Sequence, residues 1–509
     1  MRFDSIPALL RAQADAAPDA PALSAPGRPV MTYAGLWGQA QTIVQALNLF
    51  GVGRNDRVGV VLANGPEMAS AFVSVACGAT CAPLNPAYRQ EEFEFYLSDL
   101  SARALIVAAG DDSPAGAAAD KLGIPVLALQ SDPAKPAGWF GLQGTDQLGT
   151  NKGGLADSTD VALVLHTSGT TARPKIVPLT HANVCASAAN IAETLRLEPG
   201  DRCLNIMPLF HIHGLLGALM STLAAGAEIA CTPGFNVMRF FGWLDETEPT
   251  WYSAVPTMHQ AIVARAPRNE ESVARARLRL IRSSSAALPP QVLEELEGTF
   301  HCPVVESYGM TEASHQMASN PLPPRVRKPG SVGPAAGPEI AIMDDAGNLL
   351  GEGKTGEVVI RGANVTAGYD RNPEANAKAF TDGWFRTGDQ GVLDHDGYLT
   401  ITGRLKEIIN RGGEKISPRE IDEVLLDHPS VQQAVTFAMP HDKLGEEVAA
   451  AIVLREGAEA TEKEIREFAS TRLADFKVPR KVLFLAEIPK GPTGKMQRIG
   501  LAEKLGLGA

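Results

Sequence analysis

Four hydroxyl side chains, one glycine and two cations lie within residues 167–175, a segment of nine residues. The segment reads Thr-Ser-Gly-Thr-Thr-Ala-Arg-Pro-Lys and directly follows an apolar run. Hydroxyls and backbone N–H groups donate hydrogen bonds to phosphate oxygens, and Lys175 or Arg173 supplies positive charge. The pattern therefore predicts a polyphosphate-binding loop, and a polar surface loop is the alternative if the segment is taken alone.

Two further polar pairs suggest contacts with a nucleotide. Thr311 beside Glu312 can hold a phosphoryl oxygen together with Mg²⁺, and a turn that starts a helix is the alternative. Asp389 precedes Arg404 by fifteen residues. A buried aspartate can accept the hydrogens of two ribose hydroxyls, and an Asx turn is the alternative here.

Two histidines and one lysine are candidates of less certain role. His211 and His213 have no third or fourth ligand at zinc spacing, and their aromatic neighbours favour the wall of an apolar pocket over a metal site. Lys495 stands in a segment with Gly and Pro. A lysine there is either solvated or a cation that docks in one conformation only.

Apolar runs that alternate with helical stretches predict the elements that position these residues. Strands are expected over residues 57–63, 104–109, 161–166, 251–255 and 278–282. A helix is expected over residues 67–76. Strands separated by helices favour a mostly parallel, helix-covered sheet. Residues 108–155 are rich in Ala, Gly, Asp and Pro and are expected to form a surface excursion.

The pattern changes after Pro321. Residues 328–403 show short strand-like runs between Gly and Asp turns and no helical stretch, which predicts a small β-barrel or meander. The remainder predicts a compact α+β segment, whose helix begins at Ser417 with Glu420 completing a capping box. We expect an N-terminal domain of residues 1–404, with the barrel at about 328–403, and a C-terminal domain of residues 405–509.

Composition excludes several classes of protein. A chain of 509 residues predicts more than one domain. The net charge of −12 argues against a general electrostatic grip on nucleic acid or on an anionic membrane. No run of uncharged apolar residues reaches the length of a membrane span, and the six cysteines include no CxxC pair. We therefore expect a cytoplasmic protein without nucleic-acid or membrane partners, present as a monomer or homodimer.

Together the motifs resemble those of the adenylate-forming superfamily, which includes acyl-CoA synthetases, luciferases and non-ribosomal adenylation domains. The resemblance covers nearly the whole chain and is carried by TSGTTARPK, PLFHIHG, YGMTE, GEVVIRGANVTAGY, WFRTGD, GRLKEIINRGGEKISP and PTGK. Two positions depart from the family pattern: Ala172 and Ile176 stand where glycine is common. Within the superfamily the sequence looks most like oxalate–CoA ligases, on the stretches PLFHIHGLLGALMSTLAAGA, TWYSAVPTMHQ, IRSSSAALPP and ESYGMTEASHQMASNPLPP.

The resemblance implies an α/β fold: a large N-terminal domain of parallel, helix-covered sheets with a small β-barrel, and a small, mobile α+β C-terminal domain. It implies ATP contacts from Thr167, Ser168, Gly169, Thr170, Thr171, Lys175, Tyr308, Asp389 and Arg404. The implied catalytic residues are Lys495, Thr311, Glu312 and His211, with Glu312 binding Mg²⁺. CoA is expected to pass Gly412 and Gly413, and the C-terminal domain is expected to rotate about Lys406.

The implied reaction joins a small carboxylic acid to CoA through an acyl-adenylate, with ATP, Mg²⁺ and coenzyme A as cosubstrates and cofactors. A small diacid keeps a second carboxylate in the pocket, so polar or cationic partners must meet it. The candidates are His213, Ser284, Ser285 and His315. Oxalate is the expected acid, and 4-coumarate, malonate or a short- or medium-chain fatty acid are the alternatives.

Overall fold

The computed structural model describes residues 2–144, 153–167, 174–489 and 497–508. The described strands, in chain order, are β1 (Pro21–Ser24), β2 (Met31–Thr32), β3 (Arg57–Val61), β4 (Thr80–Pro83), β5 (Ala104–Ala108), β6 (Val126–Ser131), β7 (Phe140–Gln143), β8 (Val161–Thr167), β9 (Lys175–Thr180), β10 (Arg202–Asn205), β11 (Glu228–Cys231), β12 (Trp251–Ala254), β13 (Leu280–Ser283), β14 (Val304–Met310), β15 (His315–Ser319), β16 (Glu339–Met343), β17 (Leu349–Leu350), β18 (Thr355–Arg361), β19 (Phe380–Thr381), β20 (Trp384–Leu393), β21 (Leu399–Arg404), β22 (Ile409–Arg411), β23 (Glu414–Ile416), β24 (Val431–His441), β25 (Gly445–Leu454) and β26 (Lys481–Phe484).

The described α-helices are α1 (Ile6–Ala16), α2 (Tyr33–Leu49), α3 (Pro66–Ala76), α4 (Gln90–Leu100), α5 (Pro114–Leu122), α6 (His181–Thr194), α7 (Ser221–Ala224), α8 (Val237–Thr247), α9 (Pro256–Arg265), α10 (Glu270–Arg275), α11 (Pro290–Phe300), α12 (Pro373–Ala379), α13 (Pro418–Leu426), α14 (Glu462–Ser470) and α15 (Leu501–Lys504). A π-helix spans His213–Met220, and short 3₁₀ helices span Ala266–Arg268, Thr311–Ala313 and Asp475–Lys477. None of these helices is both long and apolar enough to cross a lipid bilayer.

Two large sheets form the first part of the chain. One has seven strands in the order β7-β6-β5-β3-β4-β8-β9, and the other has eight in the order β15-β14-β13-β12-β10-β11-β1-β2. Their central strands pair in parallel and are buried, as expected for sheets covered by helices on both faces. Antiparallel strands β7, β9, β15 and β2 close the edges. The predicted α/β fold is confirmed, with mixed rather than wholly parallel sheets.

A third sheet follows, built almost entirely of antiparallel strands. Its order is β17-β16-β18-β20-β19, with β21 also paired to β20, and it curls into a half-barrel. The C-terminal α+β segment has its own sheet, β23-β22-β25-β24 with β26 on β25, and its own buried core. Both segments match the predicted architecture, apart from helix α12, which interrupts the run where no helix was expected.

Two local predictions are wrong. Residues 108–155 are not only a surface excursion, because β6 and β7 belong to the seven-stranded sheet. Helix α5 buries Ala115, Ala118 and Ala119, and Phe140 of β7 is also buried. An alanine-rich segment is compatible with a helix packed closely on a sheet as well as with a surface loop. Ser417 occupies the predicted N-cap position of α13, but the capping box is absent, since its hydroxyl donates instead to the carbonyl of Thr402 in the half-barrel.

Strand β14 carries a buried carboxyl group. Glu306 is 1% exposed, and its Oε1 accepts from the backbone N–H of Leu288 at 3.0 Å. Its Oε2 has no hydrogen-bond partner in the described part of the chain. Burial raises the pKa of Glu306 to about 7, although the nearby charge of Arg419 opposes the shift. This group is therefore poised to ionise near neutral pH, at a cost in stability.

We expect Glu306→Gln to become stabilising relative to wild type as the pH rises. An unfolded glutamate ionises near 4.5 and the folded one near 7, so between these values the folded protein keeps a proton that the unfolded chain has released. The wild type loses stability through this window and the variant does not. Denaturant titrations at about pH 5 and about pH 8 should show their difference in unfolding free energy change by about 1–3 kcal/mol.

Glu294→Gln is the matched control, because Glu294 is an exposed residue of α11. Its effect on stability should stay constant over the same pH range. A constant effect of Glu306→Gln would contradict the raised pKa.

Candidate active site

A tyrosine, an aspartate and an arginine form the first part of the site. Strand pairing places Asp389 of β20 opposite Arg404 of β21, and Arg404 Nε donates to Asp389 Oδ1 at 2.9 Å. Tyr308, near the end of β14, donates its hydroxyl to Asp389 Oδ2 at 2.6 Å. The carboxylate is 6% exposed, whereas the Arg404 side chain is 48% exposed. A buried acceptor fixed by two donors can still receive hydroxyl hydrogens, because each carboxylate oxygen has two lone pairs.

A second carboxylate lies beyond the end of the same strand. Glu312 is 6% exposed and accepts a hydrogen bond from the Tyr369 hydroxyl at 2.9 Å. Lys175 Nζ lies over the ring of Tyr369, 4.3 Å from its centroid. Burial raises the pKa of Glu312, and the positive charges of Lys175 and Arg404 oppose this shift. The nearby positive charges therefore do not fully offset the cost of burying the carboxylate of Glu312.

Burial disfavours the charged form of Lys175, as it does that of Glu312. Burial lowers the pKa of its ammonium group, the charge of Glu312 opposes the shift, and Lys406 adds to it. Two cations and one buried carboxylate therefore lie within electrostatic reach of one another. An incoming polyanion such as a nucleoside triphosphate would reduce the repulsion between the two lysines.

The predicted phosphate loop is described only at its ends. Thr167 of β8 and Lys175 of β9 are paired in antiparallel register, so the two ends of the segment lie side by side. Four of the predicted ATP contacts and the predicted catalytic lysine lie outside the described residues: Ser168, Gly169, Thr170, Thr171 and Lys495.

The two predicted acid-binding histidines lie face to face. The rings of His213 and His315 stack with centroids 5.0 Å apart. His213 Nδ1 lies 3.0 Å from Ser285 Oγ, and His213 Nε2 lies 2.6 Å from Ser253 Oγ. Ser284 does not join this cluster through its hydroxyl, which donates to the carbonyl of Ser307 at 3.1 Å. The structure thus gathers His213, His315 and Ser285, and it adds Ser253.

The backbone around this histidine cluster is strained. Ser285, Ser314 and His315 adopt positive φ angles of 75°, 48° and 93°, which residues with a Cβ rarely adopt. Strain of this kind persists only where the surrounding structure holds it, and it is frequent at functional sites. Gly309 is required here for another reason, because a Cβ at this position would lie 1.8 Å from the carbonyl oxygen of His315.

The other predicted residues fall around this centre. Thr311 opens the 3₁₀ turn that ends at Ala313, between β14 and β15. His211 contacts a nearby backbone group, since its Nδ1 accepts from the N–H of His213 at 3.3 Å. Gly412 and Gly413, with φ of 58° and 100°, form the exposed turn between β22 and β23. The predicted hinge residue Lys406 is exposed just after β21.

Sequence reasoning missed three residues of the site: Ser253, Arg282 and Tyr369. Tyr369 stands in a stretch quoted for its resemblance, yet no role was assigned to its hydroxyl. Arg282 is fully buried on β13 and donates to His315 Nε2 at 3.1 Å. A charged residue within the predicted strand 278–282 was the signal that could have identified it. All six cysteines are free and buried, so they contribute packing rather than chemistry.

Comparisons with known proteins agree with this geometry. Residues 10–370 match the family model of the AMP-binding enzymes, and residues 420–495 match that of the AMP-binding enzyme C-terminal domain. The chain is 46% identical to the probable CoA ligase CCL9 of Humulus lupulus, over 93% of this chain and 91% of that protein. It is 44% identical to the oxalate–CoA ligase of Arabidopsis thaliana, over 98% of both.

A solved structure shows the same fold in a nucleotide complex. ATP-bound MatB from Rhodopseudomonas palustris superposes with a TM-score of 0.88 at 28% identity, over 99% of both chains. The family assignment rests on the two matched family models and on these relatives. The chain belongs to the AMP-binding enzymes and is an AMP-forming acid–thiol ligase of the acyl-CoA synthetase family.

Proposed function

We propose that this enzyme joins oxalate to coenzyme A, forming oxalyl-CoA, AMP and pyrophosphate from oxalate, ATP and CoA. The observation that carries the proposal is the polar cluster of His213, His315, Ser253 and Ser285, which is backed by a buried arginine. A fatty or aromatic acid would need apolar walls at these positions, because unpaired polar groups beside an apolar chain cost free energy. Similarity to the oxalate–CoA ligase of Arabidopsis thaliana supports the same acid.

In the first half-reaction, a carboxylate oxygen attacks the α-phosphorus of ATP and pyrophosphate leaves. We assign Asp389, oriented by Tyr308 and Arg404, to the ribose hydroxyls. Lys175, with the hydroxyls of residues 167–171, is assigned to the β- and γ-phosphates, and Thr311 to the transferred phosphoryl group. Charge gathers on phosphoryl oxygens in the transition state, so fixed positive groups and donors supply most of the catalysis.

Glu312 is the residue assigned to Mg²⁺. Its buried carboxylate, whose pKa is raised by burial, gains stability from a cation beside it, so the site fits a hard divalent metal. The metal supplies charge neutralisation at the phosphate oxygens when bound. The exposed cluster of Asp394, His395 and Asp396 fits less well, because Lys328 Nζ already donates to both carboxylates at 2.6 and 2.8 Å.

In the second half-reaction, the CoA thiolate attacks the carbonyl carbon of the acyl-adenylate and AMP leaves. We assign the turn at Gly412 and Gly413 to the passage of the pantetheine chain and Lys406 to the hinge about which the C-terminal segment rotates. Lys495 is assigned to the first half-reaction, where it bridges the α-phosphate and the attacking carboxylate. The two half-reactions would then use different faces of the C-terminal segment.

The choice of acid is tested by a substrate panel. With ATP, Mg²⁺ and CoA, the kcat/KM for oxalate should exceed that for acetate, 4-coumarate and octanoate by about 100-fold or more, because only a small dianion satisfies the polar cluster. It should exceed that for malonate by about 10-fold or more, because malonate is one methylene longer. CoA-dependent AMP release measures each acid. A preference for coumarate or octanoate would contradict the assignment of oxalate as the substrate, but not the ligase reaction itself.

Lys495→Ala should separate the two half-reactions. The variant should lose adenylate formation by about 100-fold or more, measured as pyrophosphate release, because it removes the positive charge that meets the reacting phosphoryl group. Transfer to CoA from supplied oxalyl-AMP should be retained. The control is Lys463→Ala on the exposed face of α14, which should keep both activities. Equal loss of both in Lys495→Ala would refute the rotation of the C-terminal segment.

Glu312→Gln tests the metal assignment through its pH dependence. Since burial raises the pKa of Glu312, protons should compete with Mg²⁺ at a higher pH than for an ordinary glutamate. The Mg²⁺ concentration for half-maximal pyrophosphate release should therefore rise as the pH falls below neutral in the wild type. The variant should need on the order of 10–100-fold more Mg²⁺ and lose this pH trend.

The matched control is Glu339→Gln, an exposed residue whose ion pair with Arg361 lies in the half-barrel. It should keep the Mg²⁺ requirement of the wild type and its pH trend. An unchanged Mg²⁺ requirement in Glu312→Gln would remove Glu312 from the metal site.

A further inference from the structure

Arg282 is a buried cation whose hydrogen-bond partners are all neutral groups. Its side chain is fully buried, with Nη1 donating to His315 Nε2 at 3.1 Å and to Ser253 Oγ at 3.4 Å. Nη2 donates to Gln316 Oε1 at 3.2 Å, and Nε is without a hydrogen-bond partner in the described structure. Within residues 2–144, 153–167, 174–489 and 497–508, no carboxylate forms an ion pair with it. A buried charge without a counter-charge is strongly unfavourable.

Other arginines show how this chain compensates guanidinium groups that are only partly buried. Arg279, three residues earlier, binds both carboxylate oxygens of Asp201 at 2.6 Å. Arg202 donates to Glu228 at 2.7 Å, and Arg57 to Asp370 at 2.8 Å. The absence of such a carboxylate at Arg282 is therefore a local property of the histidine cluster, where an anionic substrate can supply the missing charge.

Hydrogen bonds connect Arg282 with the residues predicted to bind the acid. A guanidinium group can only donate, so His315 Nε2 must accept and the ring proton resides on Nδ1. Ser253 Oγ likewise accepts from Arg282, so its own hydrogen is available for His213 Nε2, 2.6 Å away. In that tautomer His213 donates from Nδ1 to Ser285 Oγ, 3.0 Å away. The charge of Arg282 thus polarises both imidazoles, and the relay through His213 ends at the hydroxyl of Ser285, a donor that suits an anion.

Packing keeps this arrangement in place. Gly217 of the π-helix faces the pair, and a Cβ there would lie 2.5 Å from His315 Nε2 and 3.0 Å from Arg282 Nη1. On the other side, Gln316 presents its oxygen to Arg282, while its Nε2 donates to Ala336 O at 3.0 Å and to Thr194 Oγ1 at 3.1 Å. Arg282 is thus fixed in position before any substrate arrives.

We infer that Arg282 makes the enzyme select acids with a second negative group, acting through His315 and through the Ser253–His213 relay. This inference rests on the proposed activation of a small diacid. Arg282 is a positioning residue in this scheme, because its guanidinium group is fully buried and contacts the histidine cluster rather than the substrate. Binding of a dianion compensates the buried charge, whereas a neutral substituent in place of the second carboxylate leaves it uncompensated.

The test compares each diacid with its monoamide, which keeps nearly the same shape and loses one charge. The pairs are oxalate with oxamate, malonate with malonamate, and succinate with succinamate. Steady-state pyrophosphate release gives kcat and KM for the wild type, for the neutral variants Arg282→Gln and Arg282→Met, and for Arg282→Lys. Circular dichroism checks that each variant is folded.

The wild type should prefer its best diacid over the matching monoamide by about 30-fold or more. Both neutral variants should lose most of this preference, chiefly through a higher KM for the diacid, with the KM for ATP unchanged. Arg282→Lys, which keeps the charge, should retain most of it. Arg279→Met is the matched control and should leave the preference intact while lowering stability, because Asp201 becomes a buried, unpaired carboxylate.

The inference is overturned if the wild type does not distinguish a diacid from its monoamide, or if a folded neutral variant keeps the preference. It is also overturned if Arg282→Lys loses as much as the neutral variants. These outcomes differ from failure of the oxalate proposal. In that case another diacid is preferred over oxalate, and the same comparison of diacid with monoamide still applies to it.

Discussion

The antiparallel pairing of β14 with β15 is the constraint on which the site depends. In this hairpin Met310 lies opposite His315, and the turn between them holds Thr311 and Glu312. Gly309 permits the close approach, because any side chain there would collide with the carbonyl of His315. One short element therefore carries Tyr308, Glu312 and His315, which are proposed to contact the nucleotide, the metal and the acid. On this proposal the two reacting groups meet where the hairpin turns.

The charges around the hairpin are compensated to different degrees. Asp389 accepts hydrogen bonds from Tyr308 at 2.6 Å and from Arg404 at 2.9 Å. Glu312 and Lys175 are close to one another but both have pKa values shifted toward the neutral form by burial. Among the described residues, the hydrogen-bond partners of Arg282 are all neutral. The residues assigned to orientation are thus satisfied within the protein, and those assigned to charged ligands are left partly unsatisfied.

Much of this organisation could be predicted from local sequence. The buried strands β3, β5, β8 and β12 follow from apolar runs, and the positions of Asp389 and Glu312 follow from motifs whose order resembles a known superfamily. The misses share a physical cause. Burial of Arg282, the turn of Ser417 toward Thr402 and the packing of α5 on its sheet are all set by contacts distant in sequence. Residue type alone carries no record of such contacts.

The contacts of the C-terminal segment bear on how two half-reactions share one site. Arg419 of α13 donates to the carbonyls of Ile401 at 2.7 Å and Gly330 at 3.4 Å, and Ser417 donates to that of Thr402. These bonds run from side chains to backbone carbonyls, which water can also satisfy, so breaking them costs little net free energy. Small polar interfaces of this type permit relative motion of the parts they join. By contrast, β14, β15 and the Asp389–Arg404 pair belong to sheets with their own cores, so the rotation proposed for the C-terminal segment would leave these elements in place.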